Sequence, residues 1–496
     1  KDTMKQTSYT LQRTALALSV SAALGMSPDA VLAQSDPDQD ATQATLLPLE
    51  VSAKSEAGEG SATTGYRAFS NSVAGFSEQE IKDTPFSIKV IPNELMLNRN
   101  TKDLGSLDQL DASTSGTDHA WYPTLVLRGF IIPTSANYRH NGLNQPTLRT
   151  IGLENKERVE VLKGLAGVQA GFAAPGGIVN YVTKKPEDIT ELHTSVNQFG
   201  NSKVHVDAGR QISKDFGFRI NAAVEHQDSH IDNVDGPREF LSGAFSWNIT
   251  PKTQFDFGVE YEDRKITFQP DVPLTADGKL PPMPDSDTFL GQDWAKFKTK
   301  ATTIDAKLEH HINDDWTASA QASHLDLKRG NAWFGLTALD GDTGDATVQY
   351  FDSDEKNEYS SARLMLKGGV DTGFIQHSLA VGYDWYHSDE EWASVWYSDI
   401  GTTNLFNPTT LTKPTSESYS DNSSEVYQRG LFLQDVLSLS ERWDVHLGGR
   451  YATLDNKSAG YRKSAFTPSA ALVFKPTPNL SAYLSYIEGL EQGGTA

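Results

Sequence analysis

The sequence predicts an α+β globule followed by an antiparallel transmembrane β-barrel, and three observations carry that prediction. From Glu157 to Pro186 the chain reads as strand, glycine-rich turn, strand. From about residue 190 onward, apolar and polar residues alternate with the period of two that sends them to opposite faces of a strand. The links between these later strands are alternately short and long, as a barrel with short turns at one rim and long loops at the other requires.

Composition limits the alternatives. The chain has 496 residues, enough for two or three globular domains or one large barrel. Only 38% are hydrophobic, and no apolar run long enough for a spanning helix follows the N-terminus, which excludes a helical membrane protein. A barrel survives that test, because alternation dilutes the apolar signal. A net charge of −22 argues against nucleic acid, whose phosphates it would repel. There is no cysteine, hence no disulfide framework and no thiol chemistry. No HExxH or CxxC metal signature is present.

Residues 1–33 read as a secretory signal with extra residues upstream. Lys1, Asp2 and Thr3 precede Met4, the expected start. Lys5 and Arg13 supply the positive region, Ala15 to Leu24 the apolar region, and Val31-Leu32-Ala33 a cleavage site before Gln34. Residues 34–64 form a polar segment containing a β-prone octapeptide, Leu46-Leu47-Pro48-Leu49-Glu50-Val51-Ser52-Ala53. Such a peptide in a polar stretch suits addition to the edge of a partner's sheet.

Residues 65–188 are the α+β globule. Asp83 to Ile91 and Leu125 to Phe130 contain strands, Lys102 to Leu110 a short helix, and Asn141-Gly142-Leu143 a tight turn. In the Glu157–Pro186 run, Arg158-Val159-Glu160-Val161 alternates, and Ile178 to Thr183 is β-branched and aromatic. The glycines between them do not make a phosphate cradle: no Gly-Lys-Ser/Thr follows, and the second half is strand rather than helix.

Residues 189–496 carry the barrel pattern. Phe255, Phe257, Val259 and Tyr261 share one parity and Asp256, Glu260 and Glu262 the other. Leu379, Val381, Tyr383 and Trp385 repeat it, as do Trp443, Val445, Leu447 and Tyr451 against Asp444, His446 and Arg450. Short links fall near residues 213–215, 250–252, 313–315, 369–373, 440–442 and 476–478, and long ones near 227–238, 265–300, 328–356 and 388–424. This gives about thirteen strands. Trp247, Tyr261, Trp316, Trp385 and Trp443 are placed at membrane-interface girdles. The acidic stretches at Asp232 to Gly236 and Asp340 to Asp345 lack the closing glutamate of a calcium loop and read as solvated turns.

The run E-R-V-E-V-L-K-G…G-G-I-V-N-Y-V-T-K-K-P, with Leu125-Val126-Leu127-Arg128-Gly129-Phe130, closely resembles the plug-domain signature of TonB-dependent outer-membrane receptors of the ferric-siderophore type (ferrichrome- or hydroxamate-like). Leu165 stands where the family usually has proline, and Gln169-Ala170 replaces a Leu-Tyr-like pair. The resemblance implies a plug (65–188) inside a barrel of the family's 22 strands, the remainder lying beyond Ala496, so the chain reads as C-terminally truncated. Leu46 to Ala53 resembles the box gripped by TonB, which works with ExbB and ExbD. The short segment before it leaves no room for a periplasmic signalling domain.

The implied function is import of ferric siderophore into the periplasm by a monomeric outer-membrane receptor. It would be no enzyme and hold no cofactor, the iron arriving inside its chelator. By resemblance, Arg128 and Arg158 on the plug and Glu488 on the barrel form an ionic lock. Ligand is expected at Trp121, Tyr122, Tyr138 and Arg139 of the plug and at Trp333, Phe334, Trp392, Trp396 and Tyr397 of the loops, where aromatics offer large rigid contact area. Haem, cobalamin or glycan import remains an alternative, as does a passive porin-like channel.

Overall fold

The computed structural model describes residues 60–492 other than 75, 77, 102, 118–123, 276 and 416–418. The expected signal (1–33), the octapeptide Leu46–Ala53, and Trp121 and Tyr122 lie outside the described residues.

Among the described residues the first part is built on ten short strands: β1 (Ser70–Asn71), β2 (Gln79–Glu80), β3 (Ser87–Pro92), β4 (Thr114–Thr117), β5 (Thr124–Leu127), β6 (Phe130–Ile131), β7 (Tyr138–His140), β8 (Leu143–Asn144), β9 (Lys156–Lys163) and β10 (Gly177–Thr183). The main sheet has the order β3-β9-β10-β7-β8 and is mixed, with β10 parallel to β7 and the other pairs antiparallel. The glycine-rich run supplies β9, a single helical turn Gly167–Ala170, and β10. Apolar positions of β9 and β10 (Val159, Val161, Val179, Tyr181) are buried against Ile91, Leu125 and Leu127. Each buried aliphatic chain contributes about 1.5–3 kcal/mol. The helix expected over Lys102–Leu110 is a 3₁₀ helix over Leu104–Gln109. Gly105 and Ser106 are poor α-formers, and Asp103 Oδ1 accepts from the Gly105 N–H at 2.9 Å to start the tighter turn.

The second part is one long antiparallel wall: β11 (Ile189–Val196), β12 (Ser202–Ser213), β13 (Phe216–Asp228), β14 (Asp235–Thr250), β15 (Thr253–Thr267), β16 (Lys296–His311), β17 (Trp316–Thr337), β18 (Asp345–Thr372), β19 (Ile375–Tyr397), β20 (Thr402–Asn404), β21 (Ser420–Ser440), β22 (Trp443–Asn456), β23 (Tyr461–Thr477) and β24 (Leu480–Ile487). Thirteen of these follow one another edge to edge, and β20 pairs with β18 off the path. Among the described residues β11 and β24 are the two edges and do not pair with each other.

Of the four expected long loops, 328–356 is mostly strand and 388–424 is about half strand. β17, β18 and β19 run for 22, 28 and 23 residues, through most of 328–356 and part of 388–424. A membrane crossing needs only about 9–11 residues. The surplus stays paired because alternation continues through Trp333–Thr337 and Ala346–Tyr350. The loops 268–295 and 398–411 pack beside it, with Phe268, Leu290, Phe334, Leu336, Val348, Tyr350 and Leu405 in one apolar cluster. Trp294 Nε1 donates to Leu411 O at 2.8 Å, tying the two loops together.

The wall is apolar outside and charged inside. Leu241, Leu364, Leu431, Leu433, Tyr451 and Leu484 are exposed, while Asp207, Arg219, Arg238, Glu260, Glu262 and Arg450 are buried. A soluble sheet in water would show the reverse. Phe216, Trp247, Phe374 and Trp443 are exposed beside the short turns and make one aromatic rim. Tyr261 and Trp385, also expected at strand ends, sit near the middles of β15 and β19.

Candidate functional site

The charged inner face of the wall grips the first part through a dense polar seam. Consecutive inward positions of β15 (Glu260, Glu262, Arg264) meet the segment that leads into β9. Lys156 Nζ is ion-paired with Glu260, Asn155 Nδ2 donates to the same carboxylate at 2.9 Å, and Arg149 lies 3.6 Å from it. Arg264 Nη1 donates to Thr150 Oγ1 at 2.9 Å.

Beside it, Arg238 of β14 is the hub. Its Nη1 and Nη2 donate to the two oxygens of Glu154 at 2.8 Å each, and its Nε donates to Glu262 at 2.6 Å. The planar fork of arginine suits this bidentate contact. Gly152 is required here. A Cβ on it would lie 2.3 Å from Arg238 Nη2 and 2.8 Å from Glu154 Oε2. Burial by itself would raise the Glu154 carboxyl, but attraction and hydrogen bonding from Arg238, with help from Lys203 and His205, outweigh it and hold the group well below the usual carboxylate range. Lys184 donates to Asp207 at 2.8 Å, and His140 lies 3.6 Å from Asp305, so the seam continues along the wall.

The expected lock of Arg128, Arg158 and Glu488 is not assembled. Arg128 is exposed, at a positive φ of 51°, and forms no ion pair among the described residues. Arg158 pairs with Glu160 at 2.7 Å and Glu78 at 3.6 Å, both in the first part. Glu160 is two residues along the same strand face, so local geometry satisfies Arg158 before any wall residue can. The Glu488 carboxylate accepts from the Tyr486 hydroxyl. The chain after β24 touches the Gly167 turn through its backbone instead, with Ala173 N donating to Leu490 O at 2.8 Å. The pairs that do cross the seam were missed, although Glu260 and Glu262 on the polar parity of β15 were a readable signal.

The expected ligand residues separate by strand parity. Trp333, Phe351 and Trp396 stand directly opposite one another across β17, β18 and β19, on the parity that faces the first part lower down. Trp333 and Trp396 stack at 5.5 Å, and Trp396 is 53% exposed. Trp392 shares this parity and is half-buried. Phe334, Tyr350 and Tyr397 form the other ladder. Phe334 is 0% exposed in the loop cluster, and Tyr397 packs on Tyr350 at 5.9 Å. A one-residue step along a strand exchanges the faces, so Phe334 and Tyr397 act as packing residues. Tyr138 is buried in the core of the first part. Arg139 is buried with its guanidinium on the carbonyls of Ala136, Tyr138 and Ala170 and on Asn144 Oδ1. Asp340 spends its carboxylate on the backbone N–H groups of Asp342 and Thr343, at 2.8 and 3.0 Å, as a capped turn.

Two family models match this arrangement part by part. Residues 80–178 match the TonB-dependent Receptor Plug Domain, and residues 240–495 match the TonB dependent receptor-like β-barrel. The chain belongs to the TonB-dependent receptor family. Among curated relatives, the metal-pseudopaline receptor CntO of Pseudomonas aeruginosa is 27% identical over 517 residues, covering 97% of this chain and 70% of that protein. The ferrioxamine B receptor of Salmonella typhimurium is 26% identical and matches 73% of this chain, but 54% of its own length. Among solved structures, the ferric preacinetobactin receptor BauA of Acinetobacter baumannii superposes with a TM-score of 0.78 at 24% identity, covering 86% of this chain and 67% of that one.

As a TonB-dependent receptor the chain is an outer-membrane protein and not an enzyme. Its globule is the plug, and its wall belongs to a transmembrane β-barrel. Short turns mark the periplasmic rim and long loops the outer rim.

Proposed function

We propose that this chain binds a ferric siderophore at the cell surface and passes it to the periplasm with energy delivered by TonB. The observation that carries the reading is the seam: a folded plug held against the wall by buried charge pairs, which must be broken for a chelate to pass. The outer membrane has no ATP to break them, so work must be applied from the periplasm. TonB, driven by ExbB and ExbD, would pull on Leu46–Ala53. The protein works as a monomer without a resident cofactor, and iron is its cargo. The chelate meets the aromatic ladder Trp333–Phe351–Trp396 with Trp392. Arg128, Arg158 and Glu488 keep a place in this proposal only as contacts made when the plug moves.

A second reading is import of a metallophore carrying a metal other than ferric iron. It is favoured by the match to CntO along nearly the whole chain. One experiment tests both: tryptophan quenching of the intact receptor, purified from outer membrane, by a panel of ferric siderophores and by metal-loaded pseudopaline. Saturable quenching by a ferric siderophore, with uptake abolished on deleting Leu46–Ala53, is the expected result. Quenching by haem or cobalamin alone overturns it, as does uptake that survives the deletion.

A further inference from the structure

Between the plug turn that follows Gly167 and strands β18, β19, β21 and β22 lies a partly open cavity of about 40 Å³, lined among others by Arg139, Gln169, Arg363, Asp384, Tyr386 and Arg450. That volume holds a few water-sized positions. Asp384 is the one carboxylate on its walls among the described residues. Arg363 Nε donates to Asp384 Oδ1 at 2.6 Å, and Arg450 Nη1 donates to Asp384 Oδ2 at 2.8 Å. Arg139, as described above, has only neutral acceptors. The guanidinium of Arg429, a neighbour on the opposite parity, lies over the Tyr427 ring. Two buried guanidinium groups, Arg139 and Arg450, and the partly buried Arg363 therefore face one partly buried carboxylate, an excess of two positive charges at a site largely withdrawn from water, which proteins avoid unless a partner compensates it.

The second observation is independent of the charge count. Arg450 is 3% exposed, and among the described residues its Nε–H has no acceptor. It cannot swing aside. Its guanidinium lies over the Phe432 ring at 5.3 Å, and a Cβ on Gly430 would sit 3.0 Å from Arg450 Nη1. The backbone of Gly171 closes the other side, a Cβ there falling 3.5 Å from Nε. A donor fixed in place, in a cationic cavity, without an acceptor, is a site waiting for an anion.

We propose that this cavity binds one compact anion, a halide or a single carboxylate group, held by Arg450 Nε–H with Arg139 and Arg363 around it, and that the anion clips the plug turn to the wall. Water alone would fill the volume but leave the charge excess in place. Gln169 Oε1, which also lacks a donor, marks where a water would stand beside the anion. The inference does not depend on which chelate the receptor carries.

The test is crystallography of the intact receptor in sodium bromide, with anomalous data at the bromine edge, beside thermal unfolding in bromide against gluconate at constant ionic strength. One anomalous peak within hydrogen-bond reach of Arg450 Nε is expected, with an unfolding midpoint that rises with bromide concentration. R450Q should lose both; if R450Q does not fold, R139Q should weaken both, and D384N should keep the peak. A chelate carrying a carboxylate that displaces bromide assigns the site to the cargo's carboxylate, and a peak that persists assigns it to a free anion. Water density without an anomalous peak, and equal midpoints in the two salts, overturn the proposal.

Discussion

In the plug, Val159, Val161 and Val179 turn inward and are buried, whereas in the wall Leu241, Leu364 and Leu431 turn outward and the buried residues are Arg219, Glu260 and Arg450. Both regions use the same alternation, and the solvents on the two sides decide its sense. The plug closes an apolar core because water or polar wall surrounds it. The wall faces lipid, so apolar side chains cost nothing outside, and the inner face is free to carry charge. The cohesion of the two regions therefore differs in kind. The plug is held by buried area, and the seam by charge pairs that stabilise only while both partners are present.

That contrast can be broken most sharply at Arg238. Arg238→Met removes the arginine that Glu154 and Glu262 share, leaving Glu154 only the more distant Lys203 at 3.6 Å, and should cost about 3–5 kcal/mol. Plug release, read by limited proteolysis or by the unfolding midpoint of the intact receptor, measures it. The double variant R238M/E154Q should recover part of the loss, and a full-size loss in the double variant would show that the pair is not the cause.

The outer face tests the other half. The Leu241→Arg substitution falls at a residue that is 52% exposed in the structure, where a soluble sheet would tolerate arginine. Facing lipid, it should cost about 2–4 kcal/mol near mid-bilayer. Equilibrium folding into vesicles against detergent separates the cases: equal stability in both would put this face in water.

A smaller effect sharpens the parity argument at the outer rim. Trp396→Ala should weaken chelate binding about tenfold, or about 1.4 kcal/mol, with little change in unfolding. Tyr397→Ala, one residue along, should lower stability and leave the affinity unchanged. Fluorescence titration and thermal unfolding of both variants decide between them.

The smallest effect is on pH dependence. The folded Glu154 carboxyl is depressed, so its contribution is fully present above the unfolded value, about 4.3, and is lost as pH falls through the folded value. Stability should be flat in this respect above about pH 5 and decline below it, with Glu154→Gln removing part of the slope. A decline of that part on raising pH would reverse the assignment.

Much of this was legible in one dimension. Period two in Phe255–Glu262 and Trp443–Tyr451, and short turns alternating with long links, are local properties that survive without tertiary information. The Glu157–Pro186 run likewise placed β9 and β10 within a residue or two. The seam was not legible as pairs. Arg158 looked like a lock residue, yet Glu160 lay closer along its own strand; Lys156, two residues earlier, reached Glu260 across more than a hundred residues of chain.

What the sequence by itself determined is the alternation, the strand count and the family, because backbone period and turn chemistry depend on near neighbours. Only the tertiary structure decided which parity meets the plug, which rings are covered by the outer loops, and which charges close on one another. Those depend on register between strands and on the packing of distant segments, and a one-residue step along β17 is enough to turn Trp333 from a lumenal ring into the buried Phe334 beside it.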